Sequence, residues 1–288
     1  MKEKTILSGK HLAGFFIFAI ILTVNVLAQN AISADELLAK HLSAIGETEN
    51  RKSIKSTMIV GTSKATFKGR GAGVADGIVV LASEGEKNLI GMKFNNADYP
   101  FEMMSYDGNK FSAKQVRPGT RSVLGDFLRL HESVFKGGIM GGTLSQSWSL
   151  LNFDEKKGRI KYAGIVTLHD KKLYKLNYIP KKGSDLDINF FFDVDNFQHL
   201  RTEYKRVLSS SISGGVDNSA KQSETRYAMI EEFSDFRTEN KLNLPHNYQL
   251  SLEIISGNGT ISYEWKMDLQ KFIFNQPIDQ KQFDVDSY

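Results

Sequence analysis

The chain has 288 residues, with 37 Lys and Arg against 33 Asp and Glu, 41% hydrophobic residues and no cysteine. This composition is typical of a soluble globular protein, and it excludes collagen-like, disordered and polytopic membrane proteins. The absence of cysteine excludes disulfide scaffolds, thiolate metal sites, iron–sulfur clusters and cysteine nucleophiles. It also excludes anchoring through an acylated cysteine.

The first 28 residues have the pattern of a secretory signal peptide. Three lysines come first, an apolar run over residues 12–27 follows, and Ala28 ends a short sequence that suits a signal peptidase. An uncleaved membrane anchor is the alternative, but the run is shorter than the roughly 20 residues that a spanning helix needs. We therefore predict export to the periplasm with cleavage near Ala28, which leaves residues 29–288 as the folded chain.

The exported chain is nearly neutral. Cleavage removes three lysines and Glu3, so the net charge falls from +4 to +2. No dense run of Lys and Arg interleaved with aromatic residues occurs, and an exported chain rarely meets nucleic acid. We therefore predict no nucleic-acid partner.

An amphipathic helix opens the exported chain. Ser33 and Glu36 form a capping-box pattern, and apolar residues from Leu37 to Ile45 then fall on one stripe. Gly46 is well placed to end the helix. We expect the apolar stripe to lie on a sheet.

Beyond the helix, apolar and polar residues alternate, which predicts β-strands. Five strands are predicted before residue 120 and about seven from residue 159 onward. A segment rich in Ser, Gly and Asn over residues 209–223 predicts a mobile loop. Sequential hairpins of this kind build one large, curled antiparallel sheet, closed or nearly closed. The predicted strands cover residues 54–67, 73–83, 87–94, 99–106, 110–116, 159–168, 172–179, 186–193, 197–208, 225–236, 246–256 and 260–272.

A helical insertion over residues 121–151 interrupts the strands. Apolar spacing predicts one helix over residues 122–135 and a second over residues 144–151, with two glycine pairs between them. Both segments are apolar on more than one side, so we expect the insertion to cover an apolar surface as a lid. The candidate lid residues are Phe127, Leu128, Trp148 and Leu151.

The residue types that carry chemistry form no recognisable constellation. The five histidines of the exported chain have no metal-ligand spacing, and His41, on the helix, is expected to be solvated. The glycines of residues 69–73 lack the third glycine of a dinucleotide fingerprint, and no Gly-x-Ser-x-Gly sequence is present. Carboxylate pairs such as Glu231 and Glu232 are expected at turns and on outer strand faces. We predict no metal, no cofactor and no enzymatic activity.

Large apolar side chains on alternating strand positions predict one continuous interior face. A fully packed core is one interpretation of this face, and an incompletely filled cavity that takes an acyl chain is the other. Alternation alone does not distinguish the two. The candidate cavity residues are Phe101, Met103, Tyr174, Leu176, Tyr178, Phe190, Phe192, Trp265 and Met267.

Four stretches of the sequence, together with the order of the elements, resemble the LolA/LolB superfamily of bacterial envelope proteins. The stretches are residues 36–46 in the first helix, 137–148 in the insertion, 191–204 around an Asp turn, and 277–283 near the C-terminus. The resemblance extends over nearly all of residues 33–285. It implies a mainly β protein: an unclosed β-barrel with an N-terminal helix and a helical lid.

The resemblance also implies a function. Members of the superfamily hold acyl chains of lipids or lipoproteins on the concave apolar face under the lid, so the implied partners are a lipid or an acylated lipoprotein and, in addition, envelope membrane proteins. Gly138 and Gly141 would be the hinges of the lid, and Arg70, Arg121 and Arg129 are the candidates for a lid-gating arginine. We expect a monomeric carrier or chaperone in lipoprotein sorting. The alternatives are an envelope sensor, or an interaction module with a packed interior and no lipid cargo.

Overall fold

The computed structural model describes residues 32–69, 72–208, 224–257 and 259–287. The predicted signal peptide over residues 1–28 and the predicted loop over residues 209–223 lie outside the described residues. In the part of the chain that the structure describes, no helix is both long enough and apolar enough to span a membrane.

The first helix forms as its cap and its apolar stripe predict. The Ser33 side chain accepts a hydrogen bond of 3.0 Å from the backbone N–H of Glu36, which satisfies one of the free amides at the helix start. The helix buries Leu37, Leu38 and Ile45. The helices are α1 (Ala34–Ile45), α2 (Thr48–Ser53), α3 (Val123–Leu130), α4 (Glu132–Lys136) and α5 (Phe153–Lys156), with short 3₁₀ helices at Gly142–Leu144, Gln280–Phe283 and Val285–Ser287.

Twelve antiparallel strands form one sheet. Each strand pairs with the next along the chain, except that β1 pairs with β12 and β5 and β6 are separated by the insertion. Among the described residues the sheet ends at β5 on one side and at β6 on the other, so the predicted unclosed, mainly β fold is confirmed. The strands are β1 (Ser56–Lys68), β2 (Gly73–Glu84), β3 (Lys87–Phe94), β4 (Phe101–Tyr106), β5 (Phe111–Ala113), β6 (Arg159–Leu168), β7 (Lys171–Ile179), β8 (Asp187–Asp193), β9 (His199–Leu208), β10 (Thr225–Glu239), β11 (Leu242–Ser256) and β12 (Gly259–Phe274).

Bulges interrupt the strand pairing at several places in the sheet. The register between β1 and β12 shifts between Val60 and Gly61, and the register between β8 and β9 shifts between Phe191 and Phe192. Gly61 is required at its position because a Cβ there would lie 1.9 Å from the carbonyl oxygen of Asp268. A bulge bends its strand and increases the local twist, so these positions help to curl the sheet.

The core lies on the concave face of the sheet. In β12, Trp265 and Met267 are buried while the intervening Lys266 is exposed, as the alternation of a strand requires. Helix α1 contacts both β6 and β11, which lie five positions apart in the sheet, so this face must curve around the helix. Helix α1 and the insertion cover this face, and the opposite face is here called the outer face.

The insertion is less helical than predicted. The predicted helix over residues 122–135 breaks at His131 into α3 and α4, and the predicted helix over residues 144–151 is a 3₁₀ turn followed by irregular chain. The hydroxyls of Ser145 and Ser147 hydrogen bond to each other at 2.9 Å, and such local side-chain bonds compete with helix formation.

Strand β11 begins earlier than predicted. It starts at Leu242 rather than at His246 and includes Pro245, which faces Phe236 in β10. Asp235, next to Phe236, has a positive φ of 56° and lies outside the regular pairing. The regular pairing is thus interrupted next to Pro245, and a proline is tolerated in a strand where its position does not have to donate to the hydrogen-bond ladder.

Candidate functional site

Seven of the nine predicted cavity residues share the concave face. Six of them are buried in the main core, and Tyr174 is half-buried and packs against it. Five of them lie on the directly paired strands β7 and β8, and the two residues of β12 lie on the same face with three strands between β12 and β8. These seven residues are Tyr174, Leu176, Tyr178, Phe190, Phe192, Trp265 and Met267.

Phe101 and Met103 do not belong to this face. In β4 the buried residues Glu102 and Met104 face the core, so their neighbours Phe101 and Met103 lie on the outer face. The assignment of these two residues to the interior is therefore wrong. Sequence reasoning took the apolar residues as the inward set, but a buried carboxylate occupies one inward position.

The insertion fills the concave face. Phe127, Leu128 and Trp148 are buried, and Leu151 is partly buried. The indole of Trp148 stacks on the imidazole of His199, with ring centroids 4.9 Å apart. The depression between His41, Thr143 and His199 is too small to hold a water molecule. In the described conformation the insertion is therefore packed against the concave face.

A buried carboxylate ties the start of the insertion to the sheet. The Ser122 hydroxyl donates a hydrogen bond of 2.6 Å to Glu102, and the Tyr99 hydroxyl donates to the other carboxylate oxygen. The indole N–H of Trp265 donates to the Tyr99 oxygen at 2.9 Å. Burial raises the pKa of Glu102 to about 7, although both hydroxyl donors oppose this shift.

A second buried carboxylate holds the middle of the insertion. The backbone N–H of Gly141 donates to Glu231 at 2.8 Å, and the hydroxyls of Tyr204 and Tyr248 donate to the same carboxylate at 2.5 and 2.6 Å. Burial raises the pKa of Glu231, and these three donors partly offset the effect. Sequence reasoning expected Glu231 on an outer face. The signal it missed is the inward register of Glu231 with Met229 and Phe233, since all three are buried.

A third polar contact lies between these two. The backbone N–H of Gln146 donates to the Ser83 hydroxyl at 2.9 Å, and its side-chain amide donates to the Thr57 hydroxyl at 3.1 Å. Thr57 and Ser83 are directly opposite each other in β1 and β2. The insertion is thus attached to the sheet through polar side chains at three separate places.

Two buried histidines lie beneath the insertion. His41 donates from Nδ1 to the carbonyl of Phe197 at 2.8 Å, and His199 donates from Nε2 to the carbonyl of Arg201 at 3.0 Å. Among the described residues, the other ring nitrogen of each histidine is buried without a hydrogen-bond partner, and so is the indole nitrogen of Trp148. Burial lowers the pKa of His41 to about 4 and that of His199 well below its usual range. The expectation that His41 is solvated is therefore wrong.

The two predicted hinge glycines have left-handed backbones. Gly138 has a φ of +64°, and a Cβ there would lie 1.8 Å from the carbonyl oxygen of Ser147. Gly141 has a φ of +85°, and a Cβ there would lie 3.4 Å from the Cβ atom of Ser145. Gly138 is thus needed for the close approach of two insertion segments, and a hinge role for either glycine stays a prediction.

Two grooves lie on the outer face. The first, here called the polar groove, has a volume of about 860 Å³ and crosses the middle of the sheet past Lys64, Glu232 and Lys266. The second, here called the apolar groove, has a volume of about 410 Å³ and lies over β1–β4. Among the described residues, no group of three His, Asp or Glu side chains could hold a metal ion.

Comparisons with known proteins find similarity only among solved structures. No family model matches the chain, and no curated protein matches it. The chain is similar to a LolA superfamily protein, NE2245 from Nitrosomonas europaea, at 11% identity over 90% of this chain and 100% of that chain, with a TM-score of 0.46.

Two further structures are similar at lower scores. A domain from Vibrio parahaemolyticus assigned to outer membrane lipoprotein sorting has 10% identity over 87% of this chain and 98% of its own, with a TM-score of 0.42. MucB in the Pseudomonas aeruginosa MucA/MucB complex has 9% identity over 83% of this chain and 99% of its own, with a TM-score of 0.21. One of these structures is a protein of the LolA superfamily, which the sequence motifs resemble.

Proposed function

We propose that the chain is an exported, periplasmic protein that binds acyl chains of a lipid or an acylated lipoprotein on its concave face. The insertion over residues 121–151 is the lid, and the described conformation is its closed state. Binding then requires the insertion to leave the sheet. Such a protein would act as a carrier or chaperone in the sorting of outer-membrane lipoproteins.

The observation that carries this proposal is the way in which the insertion is attached. Its apolar side chains cover the concave face, but it contains little regular helix and is tied to the sheet through Glu102, Glu231 and the pair Thr57 and Ser83. When a lid of this kind opens, its hydrogen bonds to the sheet are replaced by hydrogen bonds to water. Each CH₂ of an acyl chain that replaces it contributes about 0.8 kcal/mol, so an acyl chain can offset the loss of the lid contacts.

The unpartnered nitrogens under the insertion support the same proposal. Leaving a buried polar atom without a partner costs about 1–3 kcal/mol. The indole N–H of Trp148 is a donor, and the free ring nitrogens of His41 and His199 are acceptors because their other nitrogens donate to carbonyls. An ester or amide carbonyl of an entering ligand can accept from Trp148, and an amide N–H or a hydroxyl group can donate to His41 and His199.

A reversible lock tests the proposal, and the absence of cysteine makes it specific. The double substitution Ser83→Cys with Gln146→Cys introduces a cysteine pair across the contact between the insertion and β2. In this contact Ser83 Oγ and the backbone nitrogen of Gln146 are 2.9 Å apart. We expect the oxidised protein to take up a diacylated lipopeptide at least tenfold more slowly than the reduced protein. Equal uptake in both states would count against the lid.

A second candidate function is an envelope sensor or interaction module without lipid cargo, and the packed concave face favours it. Mass spectrometry of lipids that co-purify with the exported chain, prepared without detergent, separates the two. Near-stoichiometric acylated cargo supports the lipid-binding proposal. A protein that carries no lipid and also ignores added lipopeptide supports the interaction module.

A further inference from the structure

The apolar groove lies on the side of the sheet turned away from the insertion. Gly91 of β3 forms its floor, and Met58, Val80, Leu89 and Met103 surround it on four adjacent strands. Its volume of about 410 Å³ is within the usual range of small-molecule sites. Met58 and Met103 are flexible side chains, which adapt well to an apolar ligand.

Gly91 has no conformational reason to be a glycine. Its backbone is not left-handed, and a Cβ there would meet the nearest atoms, in Met103 and Val80, at 3.7 Å, which is ordinary contact. A glycine inside a strand weakens the strand and often marks the close approach of a ligand. The effect of glycine here is to open the space between Leu89 and Met103.

The groove lies beside a part of the outer face that the chain covers itself. Ile278, Phe283 and Val285 pack against Ala82 and Leu89 in a small second core. This cover ends at the groove, which Val285 and Gln282 border. Ile78, which also lines the groove, remains 55% exposed. The apolar surface thus continues beyond its cover.

One end of the groove is positively charged. Lys93 borders the groove, and no carboxylate pairs with it among the described residues. Phe101 is opposite Lys93 in β4, and the ammonium group of Lys114 lies 5.5 Å from the centre of the Phe101 ring. An apolar trough with a lysine at one end is complementary to an amphiphile with a single anionic head group.

We propose that the apolar groove binds one long-chain fatty acid, with the acyl chain over Gly91 and the carboxylate at Lys93. This site lies on the opposite face of the sheet from the concave site of the proposed function, and it needs no movement of the insertion. The two sites are therefore separable by experiment.

Calorimetric titration with palmitate tests the proposal. Gly91→Val fills the floor, where its Cβ makes only ordinary contacts, and should weaken binding at least tenfold. Ile78→Gln should weaken it about fivefold, whereas Ile165→Gln, at an equally exposed isoleucine of β6 (54%), should have no effect. Since Ile78 is exposed, this second variant keeps the test valid even if Gly91→Val fails to fold.

The charged end is tested by Lys93→Gln. This change should weaken the binding of palmitate about three- to tenfold and leave the binding of the 16-carbon alcohol unchanged, while Lys161→Gln on β6 should alter neither. The proposal is overturned if the wild-type chain binds no palmitate, or if Gly91→Val and Ile78→Gln bind it as tightly as wild type. Loss of palmitate binding only in the oxidised Ser83→Cys, Gln146→Cys lock would assign the fatty acid to the concave face instead.

Discussion

The amide of Gly141 lies 2.8 Å from the carboxylate of Glu231, and this contact joins an irregular loop to the centre of the sheet. Because Tyr204 and Tyr248 donate to the same carboxylate, Glu231 organises three donors from three different segments. A buried network of this kind rigidifies a structure when all of its members are satisfied. Four predictions follow from the contacts of the insertion and of the core beneath it.

Replacing Glu231 by Ala should strongly destabilise the protein, because it leaves three buried donors without an acceptor. We expect a loss of about 3–5 kcal/mol in the free energy of unfolding, measured with denaturant. Glu232→Ala is the matched control. Glu232, the half-buried neighbour of Glu231, pairs with Arg201 near the surface, so this variant should lose less than about 1 kcal/mol in the free energy of unfolding. Similar losses in both variants would contradict the role assigned to Glu231.

Glu102 should make the protein less stable as the pH rises from 4.5 to 7. Its pKa is about 7 in the folded state against 4.5 when unperturbed, so in this window the folded state holds a proton that the unfolded state has released. The shift corresponds to about 3 kcal/mol of lost stability. Glu102→Gln, which cannot ionise, should remove this decline, and denaturant unfolding across the pH range measures it. A Gln variant with the same pH slope as wild type would disprove the assignment.

His41 should act in the opposite direction. Its pKa is about 4 in the folded state against 6.5 when unperturbed, so between these values the unfolded state binds a proton that the folded state excludes. Stability should therefore rise with pH by about 3 kcal/mol over this window. His41→Gln should remove this contribution, which denaturant unfolding across the pH range measures. A common slope in the wild type and the variant would exclude the effect.

Gly138→Ala should displace the insertion rather than stiffen a hinge. The added Cβ would lie 1.8 Å from the carbonyl oxygen of Ser147, so the two segments must separate. We expect a loss of about 2–4 kcal/mol and a red shift in the emission of Trp148, measured in a Trp265→Phe background. Gly183→Ala, which also has a positive φ but no atom within 4 Å, separates the backbone strain from the clash. Its loss should be about 1 kcal/mol, with no shift in emission.

The strands could be predicted from the sequence because alternation reports directly which positions face a core. The prediction from alternation was correct for β3, which has the predicted bounds, and for most of β12. It failed in β4, where Met103 and Met104 are adjacent and only one of them can face inward. The pattern could not show that Glu102 rather than Phe101 occupies an inward position, because a buried carboxylate depends on partners in distant segments, here Tyr99 and Ser122.

The insertion could be predicted as a cover but not in its structure. Its apolar residues indicated burial, and Trp148 is fully buried. Its backbone is set by contacts far away in the sequence, such as those of Gly141 with Glu231 and of Gln146 with Ser83, which no local pattern contains. The unpartnered nitrogens of His41 and Trp148 likewise arise only when three distant elements meet.

The pairing of β1 with β12 has a consequence for the way the chain matures. Strands β1–β5 and strands β6–β11 can each form by the pairing of consecutive strands. The two groups join only when β12 pairs with β1 on one side and with β11 on the other. Until then β1 and β11 each present an unpaired edge, the kind of surface on which other chains add strands. The polypeptide is therefore exposed to aggregation until β12 has been synthesised and has paired with both strands. The residues after position 258 determine when that period ends.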